Sequence, residues 1–131
     1  MKKAIMVLLL VFSYTLFAQS EIKITSKKCI LKKGYHVKLK RVYDDSRCPE
    51  NVTCIWAGEV SIVIEVYKDK KLVEEKTLLL NTNNSEENIK WLTNYLPKNS
   101  NSIKSITVFP YPKEGQIIES KKQFVNIIYH D

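Results

Sequence analysis

Between Val60 and Tyr67 the chain alternates as strictly as a β-strand can. Val60, Ile62, Ile64 and Val66 share one face, and large apolar side chains, Val63 and Tyr67, recur on the other. Period-two alternation sends successive side chains to opposite sides of a sheet, and no helix gathers positions 60, 62, 64 and 66 on one side. Apolar residues on both faces place this strand at the centre of a sheet, covered from both directions. The rest of the chain must supply its neighbours and a second layer.

Candidate neighbours recur along the sequence. Tyr35, Val37 and Leu39 alternate with His36, Lys38 and Lys40, and the apolar series resumes at Val42, the shift that a bulge near Lys40-Arg41 produces. Asp69-Lys70 predicts a hairpin turn into a strand over Leu72 to Leu80, followed by a polar loop from Asn81 to Ser85. Ile103 to Phe109 and Phe124 to Tyr129 read as strands separated by the turn-rich stretch Pro110 to Gly115, and Ile22 to Ser26 as an opening strand. Glu86 to Leu96 fits two patterns. Ile89, Leu92 and Leu96 are spaced as on a helix with Ser85 as N-cap and Pro97 as stop, whereas Ile89, Trp91, Thr93 and Tyr95 alternate as on a strand. The helix or helical turn is the preferred reading. The expected fold is all-β, a single β-sandwich or partly closed barrel of about six to seven strands with one short helix. A parallel α/β fold would need helices between successive strands, which the pattern lacks.

Residues 1–18 have the layout of a secretory signal peptide: Lys2 and Lys3, an apolar run from Ala4 to Phe12, and small residues near Ala18. Ser13, Tyr14 and Thr15 interrupt the run before it reaches the roughly 20 apolar residues of a membrane span. Cleavage before Gln19 is preferred over a competing junction at Ser20, which leaves residues 19–131 as a single secreted β-domain. Cys29 lies too far downstream for a lipoprotein junction, so the product is expected to be soluble, secreted or periplasmic, without stable membrane insertion after cleavage. The net charge is +7, from 21 Lys and Arg against 14 Asp and Glu, and loss of Lys2 and Lys3 lowers it by two. The excess is spread as Lys pairs among acids, without an arginine-rich helix or an aromatic-basic strand pattern, so no nucleic acid partner is expected. Lysines at strand ends and edges discourage edge-to-edge aggregation.

The densest stretch runs from Asp44 to Glu59 between two strong strands. Cys48 and Cys54 are close enough to close a small loop, Pro49 stiffens its first corner, and export allows a disulfide to persist, worth about 2 kcal/mol for a ring of this size. No further His or Cys stands in the stretch, and the acids lack the spacing and central glycine of a calcium loop, so neither metal nor cofactor is expected. Arg47 beside Asp44 and Asp45 suits an ion pair or hydrogen bonds to loop carbonyls. Trp56 is expected to pack on the core as it enters the next strand, with a surface formed by Arg47 and Trp56 as the alternative. Gly58 predicts a bulge or an unusual backbone angle. Asp45, Arg47, Pro49, Trp56 and Gly58 are thus the candidate structural or binding loop.

Asp45-Ser46-Arg47-Cys48-Pro49, then Cys54-Ile55-Trp56-Ala57-Gly58, with Pro110-Tyr111-Pro112 and an apolar terminal strand, resembles small secreted bacterial proteins of unknown function common in Bacteroidetes-type bacteria. The resemblance implies a secreted β-domain and no catalytic or ligand assignment. Cys29 is outside the shared pattern.

Catalytic arrangements are thin. His36 and His130 stand in neither a zinc-protease motif nor beside a nucleophile-elbow serine, a Cys29/His36 dyad is less expected than a buried Cys29, and Glu59 and Glu65 alternate as on a solvated face. The expected function is therefore a non-catalytic binding or inhibitory module acting on an exported or extracellular protein. An envelope-associated structural domain is the alternative, and a small hydrolase a third reading.

Overall fold

The computed structural model describes residues 20–27, 30–97 and 102–130. The signal-peptide reading and Cys29, with its proposed pairing to His36, lie outside those residues. Among the described residues, seven strands form two antiparallel sheets. One holds β2 (Ile30–Lys32), β3 (Tyr35–Tyr43), β4 (Val60–Lys68) and β5 (Lys71–Leu80) in sequence order. The other places β7 (Phe124–Tyr129) between β1 (Glu21–Ile24) and β6 (Ile103–Phe109). A helix, α1 (Ser85–Thr93), crosses from β5 towards β6. The architecture is a β-sandwich with one short helix, as the alternation requires.

The alternating face of β4 is the heart of the core. Val60, Ile62, Ile64 and Val66 are fully or almost fully buried, together with Val37 and Leu39 of β3 and Leu78 of β5. Ile24, Val108, Val125, Ile127 and Tyr129 meet them from the facing sheet, and Leu92 and Leu96 close one side. The register of β3 against β4 shifts between Leu39 and Arg41, so Leu39 opposite Ile64 and Val42 opposite Ile62 both face inward. Without that extra residue Val42 would turn to the outer face. Asp69 and Lys70 both have positive φ, 51° and 64°, the geometry whose twist matches a two-residue hairpin.

Three local expectations are corrected. Ser85 is the first helical residue and Asn84 the N-cap; Asn81 Oδ1 accepts the N–H groups of Asn83 and Asn84 just before the helix. The helix ends at Thr93, and Tyr95 and Leu96 donate their N–H groups back to the Leu92 carbonyl before Pro97 is reached. Glu65 is not on a solvated face: it is 8% exposed beneath Lys38 and Lys40, whose ammonium groups lie 3.6 and 3.5 Å from its carboxylate, and Tyr67 donates a hydrogen bond to it. The outer face of β4 at Glu65 is thus roofed by two cationic side chains. Among the described residues, no helix is long and apolar enough to cross a membrane.

Candidate functional site

The connection from β3 to β4 leaves the sheet as a narrow ribbon. Asp44 turns the chain with φ of 49°, after which Ser46 N–H donates to Glu59 O at 2.8 Å and Cys48 N–H to Ala57 O at 3.2 Å. The Ser46 hydroxyl adds bonds to both the carbonyl and the N–H of Glu59. Gly58 stands between these rungs at φ of 71°. A Cβ at that position would collide with the Ser46 carbonyl and lie 2.8 Å from the Arg47 Cα, so glycine alone fits both the angle and the space. The Cys48–Cys54 disulfide closes the far end, with its Cα atoms 5.9 Å apart. Inside the ring Val52 N–H bonds Pro49 O, so the proline corner is a closed turn.

Arg47 anchors the base of this ribbon. Its side chain is buried and forks onto Asp45, Nε to Oδ1 at 2.8 Å and Nη2 to Oδ2 at 2.7 Å. The same guanidinium donates through Nη1 to Val108 O at 2.5 Å and through Nη2 to Pro110 O at 3.4 Å, and lies 4.5 Å over the Tyr111 ring. Only guanidinium combines a planar fork for a carboxylate, further donors for carbonyls and a face that stacks on an aromatic ring. Two more bonds tie the ring to the segment after β6: Glu50 N–H to Pro112 O and Glu114 N–H to Asn51 Oδ1, both 3.1 Å. Pro110 enters through a cis peptide bond, and Phe109 packs edge-on against Tyr111 and stacks on Phe124.

The structure therefore brings Asp45, Arg47, Pro49, Cys48, Cys54 and Gly58 together as a clamp. Trp56 is different. It is 73% exposed, so the expected packing on the core does not occur; Ile55 beside it is 97% exposed and Val52 also faces solvent. The tryptophan fails to reach the core because the Gly58 turn and the Cys48–Ala57 rung come first, holding residues 55 and 56 at the ribbon's tip. The partners of Arg47 were hidden in the sequence, since Val108 and Pro110 lie 61 and 63 positions away. The one trace was the pairing of Pro110-Tyr111-Pro112 with the loop motif.

At the opposite end a polar and aromatic group surrounds Glu74. Tyr95 Oη donates to its carboxylate at 2.5 Å and Trp91 Nε1 at 2.9 Å, and Tyr35 meets Tyr95 edge-on. The bond to Glu74 pushes the Tyr95 pKa up to about 12, and the two donors, Tyr95 first, hold the Glu74 carboxyl below its ordinary value. Among the described residues no group of three His, Cys, Asp or Glu is placed to hold a metal ion. No protein-family model matches the chain, and no curated protein or solved structure does.

Proposed function

We propose that this chain is an exported, non-catalytic recognition module whose contact element is the apolar tip of the ribbon, Ile55 and Trp56 beside the Cys48–Cys54 disulfide, acting on an exported or extracellular protein by binding or inhibition. The observation that supports this reading is the exposure of Ile55 and Trp56 on a loop whose base is immobilised by the buried Arg47. Each apolar side chain held in water forgoes about 25 cal/mol per Å² that burial would return. A disulfide ring and clamp also remove much of the ordering cost that a free loop meets on association. Tryptophan at the centre of a contact is the residue type that most often dominates its energy. A structural domain that packs against an envelope protein through the same tip is the second reading.

The test pairs the parent with an Ile55→Ser/Trp56→Ser variant in cross-linked pull-downs from the native secretome and envelope fractions, with affinity then measured on the purified partner. Loss of a specific partner, with thermal unfolding unchanged, supports the module; a soluble partner favours recognition and an envelope complex favours the structural role. Equal binding by both proteins overturns the tip as the contact element. Export is checked by the intact mass of the mature form, expected to begin at Gln19 or at Ser20/Glu21, and a mass retaining residues 1–18 defeats it.

A further inference from the structure

β6 pairs with β7 on one side and, among the described strands, with none on the other. An open edge presents unpaired N–H and C=O groups, which makes it a template for another strand. Here the edge borders a cleft of about 440 Å³ between β6, the start of β4, the end of β5 and the first turns of α1. Every β6 residue from Lys104 to Val108 lines it. A strand that shows a face to a cleft lends alternate residues, whereas consecutive residues border a cleft when the strand shows its edge.

The direction of the main chain agrees. Arg47 donates to Val108 O, so that carbonyl points away from β7 and towards the cleft. In an antiparallel ladder the N–H and C=O of one residue point the same way and recur every second residue, which turns the main-chain groups of Ile106 to the open edge along with those of Val108; Val108 is fully buried, so Ile106 supplies the accessible pair. Arg47 occupies the Val108 carbonyl and marks where the addressable edge ends. The facing wall offers the apolar Val60, Leu80 and Ile89 beside the polar Asn81, Thr82, Ser85 and Asn88. Of the charged residues lining the cleft, Arg47 is neutralised by Asp45, Lys104 is exposed, and none is acidic.

We propose that the open edge of β6 is a strand-addition site for an extended peptide segment carrying an acidic side chain, with its main chain bonded to the N–H and C=O of Ile106, an apolar side chain against Leu80 and Ile89, and its carboxylate beside Lys104. Strand addition takes affinity from main-chain bonds and selectivity from flanking side-chain contacts. The net charge, +7 for the whole chain and two lower once Lys2 and Lys3 are lost, disfavours a second copy of this chain as the occupant and favours an acidic one. This site goes beyond the loop-tip reading and stands if that reading fails, because it uses a different surface.

The probe is a short synthetic peptide of alternating Val and Thr with Asp at each end, compared with the same peptide N-methylated on alternate residues and with one bearing Lys at each end. Amide exchange by NMR reads Ile106 directly. Its amide should exchange freely in the unliganded protein, unlike that of Thr107, and become protected by millimolar acidic peptide. N-methylation or Lys ends should weaken binding by on the order of tenfold, and Lys104→Glu should reverse the preference between the Asp and Lys peptides. The Ile55→Ser/Trp56→Ser variant should bind the probe like the parent, which separates this site from the loop tip. The proposal is overturned if the Ile106 amide is already as protected as that of Thr107, if the acidic peptide leaves it unprotected, if the N-methylated peptide binds equally, or if protection follows protein concentration alone, the sign of pairing between copies.

Discussion

Replacing Arg47 with Ala empties the point where the disulfide ribbon meets the second sheet. Three groups lose a partner together: the Asp45 carboxylate, which is 18% exposed in its side chain and keeps only the main-chain N–H of residue 47, the Val108 carbonyl and the Pro110 carbonyl. Removing one member of a buried ion pair costs about 3–5 kcal/mol because the other charge stays behind unpaired. Asp45 keeps some access to water and the neighbouring cleft can admit a molecule to Val108 O, so the lower limit applies, and we expect a loss of about 3 kcal/mol. For a domain of this size that is a fall in Tm of roughly 12 °C or more. Arg47→Lys should recover part of it, since an ammonium keeps the charge but cannot fork onto Asp45 and reach two carbonyls at once. Urea denaturation of Arg47→Ala, Asp45→Ala and the double variant gives both the loss and the coupling, and the double variant should be less destabilised than the two single losses combined. A single-variant loss below about 0.5 kcal/mol, the range of free surface positions, would refute the clamp.

Other perturbations separate the clamp from what it holds. Trp56→Ala should change the unfolding free energy by less than about 1 kcal/mol, because the ring is 73% exposed; a loss near that of a buried aromatic would show that it packs. Gly58→Ala should cost more than about 2 kcal/mol, since the added methyl meets the Ser46 backbone at a positive φ, and parent-like stability in denaturant would contradict the ribbon geometry. Reducing Cys48–Cys54, or replacing both by Ser, should cost about 2 kcal/mol and increase proteolytic nicking between residues 49 and 56. Tyr95 has a folded pKa raised to about 12 above an ordinary value of 10.0, so its stabilisation is complete below pH 10 and is lost as pH rises through 12. Glu74 has a lowered folded pKa, so its contribution is present above its ordinary value of 4.5 and disappears as pH falls below it. Tyr95→Phe should flatten the alkaline limb of stability against pH and Glu74→Gln the acid limb; unchanged limbs would break the assignment.

Local pattern carried much of the fold because burial on one side of a sheet writes itself into a period of two. The β4 face, the bulge that returns Val42 to the core, the Asp69-Lys70 turn, β6 and β7 were all legible for that reason, and so was the short ring of Cys48 and Cys54. What the sequence could not determine were contacts between residues far apart along the chain. The targets of Arg47 on Val108 and Pro110, the burial of Glu65 under two lysines and the meeting of Glu74 with Trp91 and Tyr95 depend on how the sheets and helix are placed. Trp56 is the sharpest case. Its composition and neighbours predicted burial, but whether a tryptophan is covered depends on what the chain lays over it, and the rungs from Ser46 to Glu59 and Cys48 to Ala57 hold it away from both sheets. Hydrophobic alternation determined which strands form and which way they face; tertiary packing alone decided that the loop's arginine would be buried and its tryptophan left in water, because the buried guanidinium finds three acceptors and a ring at one point in space while the indole finds no layer above it.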